Sequence, residues 1–319
     1  MIKKGDGVLP VLHARGESAL EAWENSVVEL YNKGLLWHRA GEKDKGRGTL
    51  DSTMDITITE PDSDLFYHKY MTCTAEDLFD YQMELLGSKD SWVHPEAGST
   101  KWPYHYHERL ASYPGARGHV DQLDRVVQGL SIEPWKRRHT AITWSPDRDF
   151  DSTDPPCLQR LWFDIIPDEE AGDGSSRLNM NYNFRTRNVM IAAPMNMIGL
   201  QTLYSHIKKR IIEQSGMKLK TGRIVDYTDS YHVSAQDMQI LENFMQRYNK
   251  SIAKAESIRD RCFNRETAFG MVDKEAVLAR VIEQTQKECT EKKYASLRIE
   301  EEIEKIKGIY WEVSKINGY

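Results

Sequence analysis

Two long segments in the middle of the chain, joined by a short acidic connection, constrain the fold most. LQRLWFDII (158–166) and RLNMNYNFRTRNV (177–189) carry aromatic and branched side chains set between polar ones, and both read as strands. The linker PDEEAGDGSS is polar and holds two glycines, so it turns the second strand back on the first as a hairpin-like unit. HTAITW (139–144) and GRIVDYTDSYHVS (222–234) add two strand regions. In TLDSTMDITITEP, Ile56 and Ile58 alternate with Thr57 and Thr59 until Pro61 stops the strand.

Helices surround this strand-rich centre. Leu20, Trp23, Val27, Val28, Leu30 and Tyr31 recur at helical spacing over 17–36, with Gly34 at the end. Helices are also expected at 75–87, at 120–131, and from about Pro194 to Gly216, with proline in the first turn and glycine past the last. The His-, Tyr-, Gly- and Pro-rich stretch 92–119 reads as a long ordered loop. Beyond residue 237 the pattern is helical and heavily charged. The composition shift near 240 divides the expectation into a catalytic body, 1–240, and a charged helical C-terminal extension, 241–319.

With 319 residues and 31 aromatic side chains (8 Trp, 15 Tyr, 8 Phe), the chain has ample material for a core. No apolar run approaches the ~18 residues of a membrane span. The opening MIKKGDGVLP has no apolar stretch behind its lysines, unlike a secretory leader. The net charge of −6 argues against duplex nucleic acid as the default partner. The lysines of 250–319 are interleaved with glutamates, as on a solvated helix face. Cys73, Cys157, Cys262 and Cys289 are widely spaced without a CxxC pair, so neither a disulfide framework nor structural zinc is expected. The YHYH cluster with His94 and His119 fits no metal-ligand spacing, and no metal is expected.

Three segments can carry chemistry. Cys157, in DSTDPPCLQ, sits behind a Pro-Pro turn at a strand start. It is either a small buried hydrophobe or a nucleophilic thiol, and the latter needs a cation nearby. Arg137, Arg138, Arg185 and Arg187 flank the same sheet. The pair in EPWKRRHTAITW is either solvated surface or a phosphate clamp. In FRTRNVMIAAPMNMIGL, an Arg-Thr pair at a strand end suits a phosphate. Asn196, in the first turn of an apolar helix, offers one donor pair and one acceptor, which matches the edge of uracil.

The order of these elements carries more than any one of them. Arg-Arg, a strand ending in Trp, Pro-Pro-Cys, a hairpin, Arg-Thr-x-Asn-Val, Pro-x-Asn and Asp-Ser-x-His follow one another. This resembles the thymidylate synthase and pyrimidine nucleotide hydroxymethylase superfamily, over roughly 44–240 and most densely at 134–200. The resemblance implies an α+β fold: a mixed or antiparallel sheet wrapped by helices, packed sheet to sheet in a homodimer. It implies Cys157 as the nucleophile that adds to pyrimidine C6, with Tyr106 and Glu84 in the proton-transfer network. Arg185, Thr186, Arg47 and the pair Arg137 and Arg138, donated across the dimer interface, would hold the phosphate. Asn196 would read the base, His232 would contact the ribose, and Asn188 would lie on the folate side. Trp102 could stack on the folate.

Departures refine the expectation. Leu158 follows the cysteine where the family usually has His, Phe184 stands for Gln, and Ser234 for Tyr. The stretch between Glu84 and Tyr106 is short. The chain runs on through charged helices, with no short apolar closing tail visible. The resemblance thus implies 5,10-methylenetetrahydrofolate as co-substrate and a pyrimidine nucleotide monophosphate as substrate. The reaction expected first is hydroxymethylation of dUMP, as would suit a phage with a modified base acting in its host's cytoplasm. A thymidylate synthase, a CMP or dCMP hydroxymethylase and a non-catalytic nucleotide-binding protein are the alternatives. A cytoplasmic enzyme is expected throughout, with no membrane or direct nucleic-acid partner.

Overall fold

The computed structural model describes residues 3–4, 7–38, 48–94, 101 and 103–318. Arg47 and Trp102 lie outside the described residues. The chain runs β1 (Lys3–Lys4), β2 (Val11–Gly16), α1 (Ala19–Lys33), β3 (Leu35–Trp37), β4 (Thr49–Ile58), β5 (Leu65–His68), α2 (Ala75–Leu85), α3 (Tyr106–Ala111), β6 (Tyr113–Gly115) and β7 (Gly118–Val120). It continues through α4 (Gln122–Ile132), β8 (Thr140–Ile142), α5 (Pro146–Asp149), β9 (Leu158–Pro167), β10 (Ser176–Asn188), α6 (Ala193–Ser215) and β11 (Leu219–Val233). The C-terminal region holds α7 (Met238–Ala253), α8 (Ile258–Arg261), β12 (Cys262–Asn264), α9 (Arg265–Gly270), α10 (Lys274–Glu291) and α11 (Ser296–Ile316).

A mixed eight-stranded sheet forms in the order β1-β3-β4-β11-β10-β9-β8, with β2 also paired to β4. The expected hairpin is present: β9 and β10 pair antiparallel from Leu158↔Phe184 to Pro167↔Ser176. β10 and β11 are parallel, so the chain must cross over between them, and α6 makes that crossing. Side chains alternate across the sheet. Leu161, Phe163, Met180, Tyr182, Phe184, Ile224, Met54 and Ile56 are buried on one face. On the other, Trp162, Asn181, Asn183, Tyr227 and Asp55 are at least partly exposed. Helices α1, α4 and α6 cover the first face, and α2 packs on α6.

Local chemistry sets the helix ends. Ser18 caps α1 by accepting from the Glu21 N–H at 3.1 Å, and Trp23, Val27 and Leu30 face the core. Thr74 and Asp77 form a reciprocal capping box on α2. Gly216 ends α6 with φ 69°, a conformation that costs other residues strain.

The charged C-terminal helices close on this body. Glu24 of α1 accepts from Arg261 Nε and Nη2, both at 2.6 Å, and lies 3.0 Å from His68 Nε2. Trp92 donates its indole N–H to Thr285 of α10 at 2.8 Å, and Asn317 lies against Gln82 of α2. Thr285, Ile306 and Val313 are fully buried.

Some elements escape a reading of periodicity. The stretch read as one long loop holds α3 and the β6–β7 hairpin, each too short to show a period, and 95–100 lie outside the described residues. β5 and β12 pair with each other across nearly 200 residues of sequence, so neither is visible as a local pattern.

Candidate active site

The parallel pair β10–β11 ends where β9 begins, and the carboxyl ends of parallel strands are where clefts form in open sheets. Cys157 stands there, one residue before β9, behind the Pro155–Pro156 turn. The Arg185 amide donates to the Cys157 carbonyl at 2.9 Å. The Arg185 side chain grips the same turn, with Nε to Pro156 O at 3.1 Å and Nη2 to Pro155 O at 2.7 Å. Two of its five N–H groups are thereby used, and the cation stays beside the thiol.

Burial pushes the Cys157 thiol up, and Asp154 pushes in the same direction. Arg185 and Arg187 pull it down, but burial wins. In the free protein the sulfur is therefore a protonated thiol at neutral pH.

Two tyrosines stand near this turn, Tyr104 before α3 and Tyr106 at its first position. Both phenols lie close enough to Cys157 to feel its charge. Their rings lie 5.8 Å apart, centroid to centroid. Burial raises both phenols, so they remain O–H groups.

The third wall comes from α2 and α6. Asn196, 7% exposed in the first turn of α6, donates from Nδ2 to the Tyr81 hydroxyl at 2.6 Å. A Cβ at Gly199 would lie 2.7 Å from the Tyr81 ring, so the glycine lets that ring rest on α6 and reach Asn196. One turn from Tyr81, Glu84 is held by Lys89 Nζ at 3.0 Å and by His105 Nδ1 at 3.1 Å. Burial would raise the Glu84 carboxyl, but these two partners outweigh it and keep it ionised.

On the outer side, Thr186 Oγ1 lies 3.3 Å from His232 Nδ1, across the β10–β11 ladder. Asn188 is spent within the fold. Its Oδ1 accepts from the Met190 and Ile191 amides, and its Nδ2 donates to Asp237 at 2.8 Å. Arg137 and Arg138 are exposed in the approach to β8. Arg138 pairs with Glu133 at 2.7 Å, and the Arg137 carbonyl accepts from Trp162, a residue of the open sheet face. Among the described contacts neither arginine touches Cys157 or Arg185. Tyr81, Tyr104 and His105 are site residues that motif matching missed. Their signal was spacing: Tyr81 precedes Glu84 by three on a helix, and Tyr104 flanks His105 and Tyr106.

The profile of the family described as thymidylate synthase matches residues 82–319, about three quarters of the chain. The chain belongs to the thymidylate synthase family. Relatives point the same way. A protein of Methanosarcina barkeri provisionally named thymidylate synthase is 24% identical over 237 residues, 74% of this chain and 95% of that one. One of Methanopyrus kandleri, named likewise, is 31% identical over 150 residues, 47% of this chain and 63% of its own length. A third, of Methanocaldococcus jannaschii, is 34% identical over 113 residues, 34% of this chain and 47% of its own.

Family membership makes the protein an enzyme, a folate-dependent one-carbon transferase acting on a pyrimidine nucleotide. The mixed sheet under a layer of helices fits the family's fold. No described helix is long and apolar enough to cross a membrane. Among the described residues no group of His, Cys, Asp and Glu is placed to hold a metal ion.

Proposed function

We propose that the enzyme adds the one-carbon unit of methylenetetrahydrofolate to C5 of dUMP and releases it as a hydroxymethyl group. Asn196 carries the choice of base. With one N–H given to Tyr81, its amide keeps an oxygen and a second N–H, the complement of uracil N3–H and O4. Arg185 with Thr186 holds the phosphate and His232 the sugar. Arg137 and Arg138, which project beside the open sheet face, reach the phosphate of a second subunit packed on that face. Asn188 meets the folate only by giving up its turn contacts.

The reaction begins when the Cys157 sulfur, once ionised, bonds to C6. The C5–C6 π electrons then make C5 a nucleophile, which takes up the one-carbon unit. Loss of the C5 proton, then of tetrahydrofolate, leaves an exocyclic methylene at C5. Hydride transfer would make a methyl group, and water makes a hydroxymethyl group; in either case the S–C6 bond then breaks, C5=C6 re-forms and the Cys157 sulfur leaves as a thiolate. The wall beside Tyr81 favours water. Glu84 is an ionised carboxylate backed by His105 and Lys89, a group able to take a proton from water. Residues 1–240 act in this reading as the catalytic body, with 241–319 as a helical extension fastened to it.

Incubation with methylenetetrahydrofolate and dUMP, dCMP, UMP or CMP in turn, with products identified by mass, tests the proposal. Gain of CH2O on dUMP is expected. Gain of CH2 with dihydrofolate formation would make the enzyme a methylating thymidylate synthase. Product from a cytosine nucleotide alone would overturn the role given to Asn196.

A further inference from the structure

Arg187 occupies the variable position of the Arg-Thr-x-Asn-Val segment, and it is buried to 3% exposure. A guanidinium keeps its charge in such a place only with a counter-ion, and Asp226 of β11 provides one. Both carboxylate oxygens face Nη2, at 2.6 Å and 2.5 Å, and the Tyr182 hydroxyl donates to Asp226 at 3.1 Å. Phe184 and Tyr231 sandwich the group, with ring centroids 4.5 Å and 5.3 Å from the guanidinium carbon. The remaining donors, Nε and Nη1, are buried and have no hydrogen-bond partner. Unsatisfied buried donors of this kind are rare.

The side chain is three residues from the end of the ladder that carries Phe184 opposite Leu158, next to Cys157. Its field lowers both the Cys157 thiol and the Tyr81 phenol. Phe184 links the two places: its ring lies against the guanidinium, 6.1 Å from the Tyr106 ring, and its backbone pairs with Leu158 next to Cys157.

We propose that Arg187 is a second, buried cation of the site, whose unpaired Nε and Nη1 serve the negative charge that starts on the Cys157 sulfur and moves into the pyrimidine ring. The inference rests on the covalent addition described above. There the sulfur lone pair forms the S–C6 bond, the C5–C6 π pair shifts, and the C4 carbonyl oxygen takes up the charge as an enolate. The thiol proton passes to solvent before this addition, after which no proton or electron is left over. Arg185 acts on the thiol from the turn it grips, and Arg187 adds a second, buried charge that also serves the ring. Asp226 tunes it by neutralising part of its charge.

The test is the rate at which iodoacetamide alkylates Cys157 in the ligand-free enzyme, followed against pH by peptide mass mapping. Arg185, Arg187 and Asp154 act on this thiol, and the thiol in turn acts on the Tyr104 and Tyr106 phenols beside it. Arg187→Gln removes the cation and should slow alkylation at neutral pH about tenfold, one unit in the thiol's pKa being tenfold in thiolate. Asp226→Asn keeps the shape and a hydrogen-bond acceptor but removes the counter-charge, so it should speed alkylation by a similar factor. A structural role alone would move both variants in the same direction. Opposite shifts support the proposal. Rates within twofold of wild type, or shifts of one sign, overturn it. If Arg187→Gln does not fold, Asp226→Asn alone decides: faster alkylation supports the proposal and unchanged or slower alkylation sinks it. Failure of the wild-type enzyme to turn over any nucleotide would instead remove the reaction assigned above, through a separate assay.

Discussion

Asn196 turns on one atom. Asn196→Asp replaces both N–H groups, the one given to Tyr81 and the one left for the base, with an acceptor oxygen, which suits the amino edge of cytosine and opposes uracil. The ratio of kcat/KM for dUMP over dCMP should fall by roughly 10²-fold, the usual weight of a mispaired polar edge in a closed site. A steady-state comparison of the two nucleotides checks it, and an unchanged ratio would place base reading elsewhere. The Cys157 thiol makes a second prediction. Burial holds its folded-state pKa above the ordinary thiol value. Alkylation in the absence of nucleotide should therefore keep rising with pH past about 9. A plateau at or below neutral pH would show that the two arginines outweigh burial.

Helices α2 and α6 meet where Gly199 leaves room for the Tyr81 ring. Gly199→Ala would set a methyl group 2.7 Å from that ring and push it off Asn196. The expected cost is about 1–3 kcal/mol of stability, as for overpacking, together with a raised KM for the nucleotide. Denaturant midpoints and initial rates measure both. This contact also shows what could be read in advance. Cys157, Arg185, Thr186, Asn196 and His232 are named by short motifs on strands and helix starts, where local order fixes position. Helices α1, α2, α4 and α6 and strands β4 and β9–β11 announce themselves by periodicity and caps. Tyr81 and Tyr104 have no motif. Arg187 is one of four arginines the sequence offers as cations for the thiol, and its burial and its pairing with Asp226, 39 positions on, show only in the fold. β5 and β12 exist only because the C-terminal segment returns to the body. What was hidden depended on contacts between distant parts of the chain.

The open face of the sheet bears Trp162, Asn181, Asn183 and Tyr227, and Arg137 stands at its border. If two such faces pack together and exchange arginines, each site is built from both subunits. Arg137→Ala should then weaken nucleotide binding about tenfold, in the range of one lost charge-assisted contact. Mixed with inactive Cys157→Ala chains, it should regain activity, because a hybrid dimer holds one site with both an intact cysteine and an intact partner arginine. Activity that simply adds, with no gain on mixing, would mean that each chain completes its own site.

The pairing of β4 with β11 has a consequence for how this chain can be divided. The family profile begins at residue 82, yet β4 lies between β3 and β11 and is bonded to β11 from Leu50↔Val233 to Ile58↔Ile224. Trp23, from the same N-terminal part, donates its indole N–H to the Val189 carbonyl, beside the segment that carries Arg185 and Asn188. A fragment cut to 82–319 would present β11 as a bare edge and lose the indole that steadies that turn. It should be insoluble when expressed alone and recovered in soluble form when residues 1–81 are co-expressed, which a solubility comparison reads directly. The stretch that kinship recognises and the stretch that can stand by itself are different lengths of the same chain.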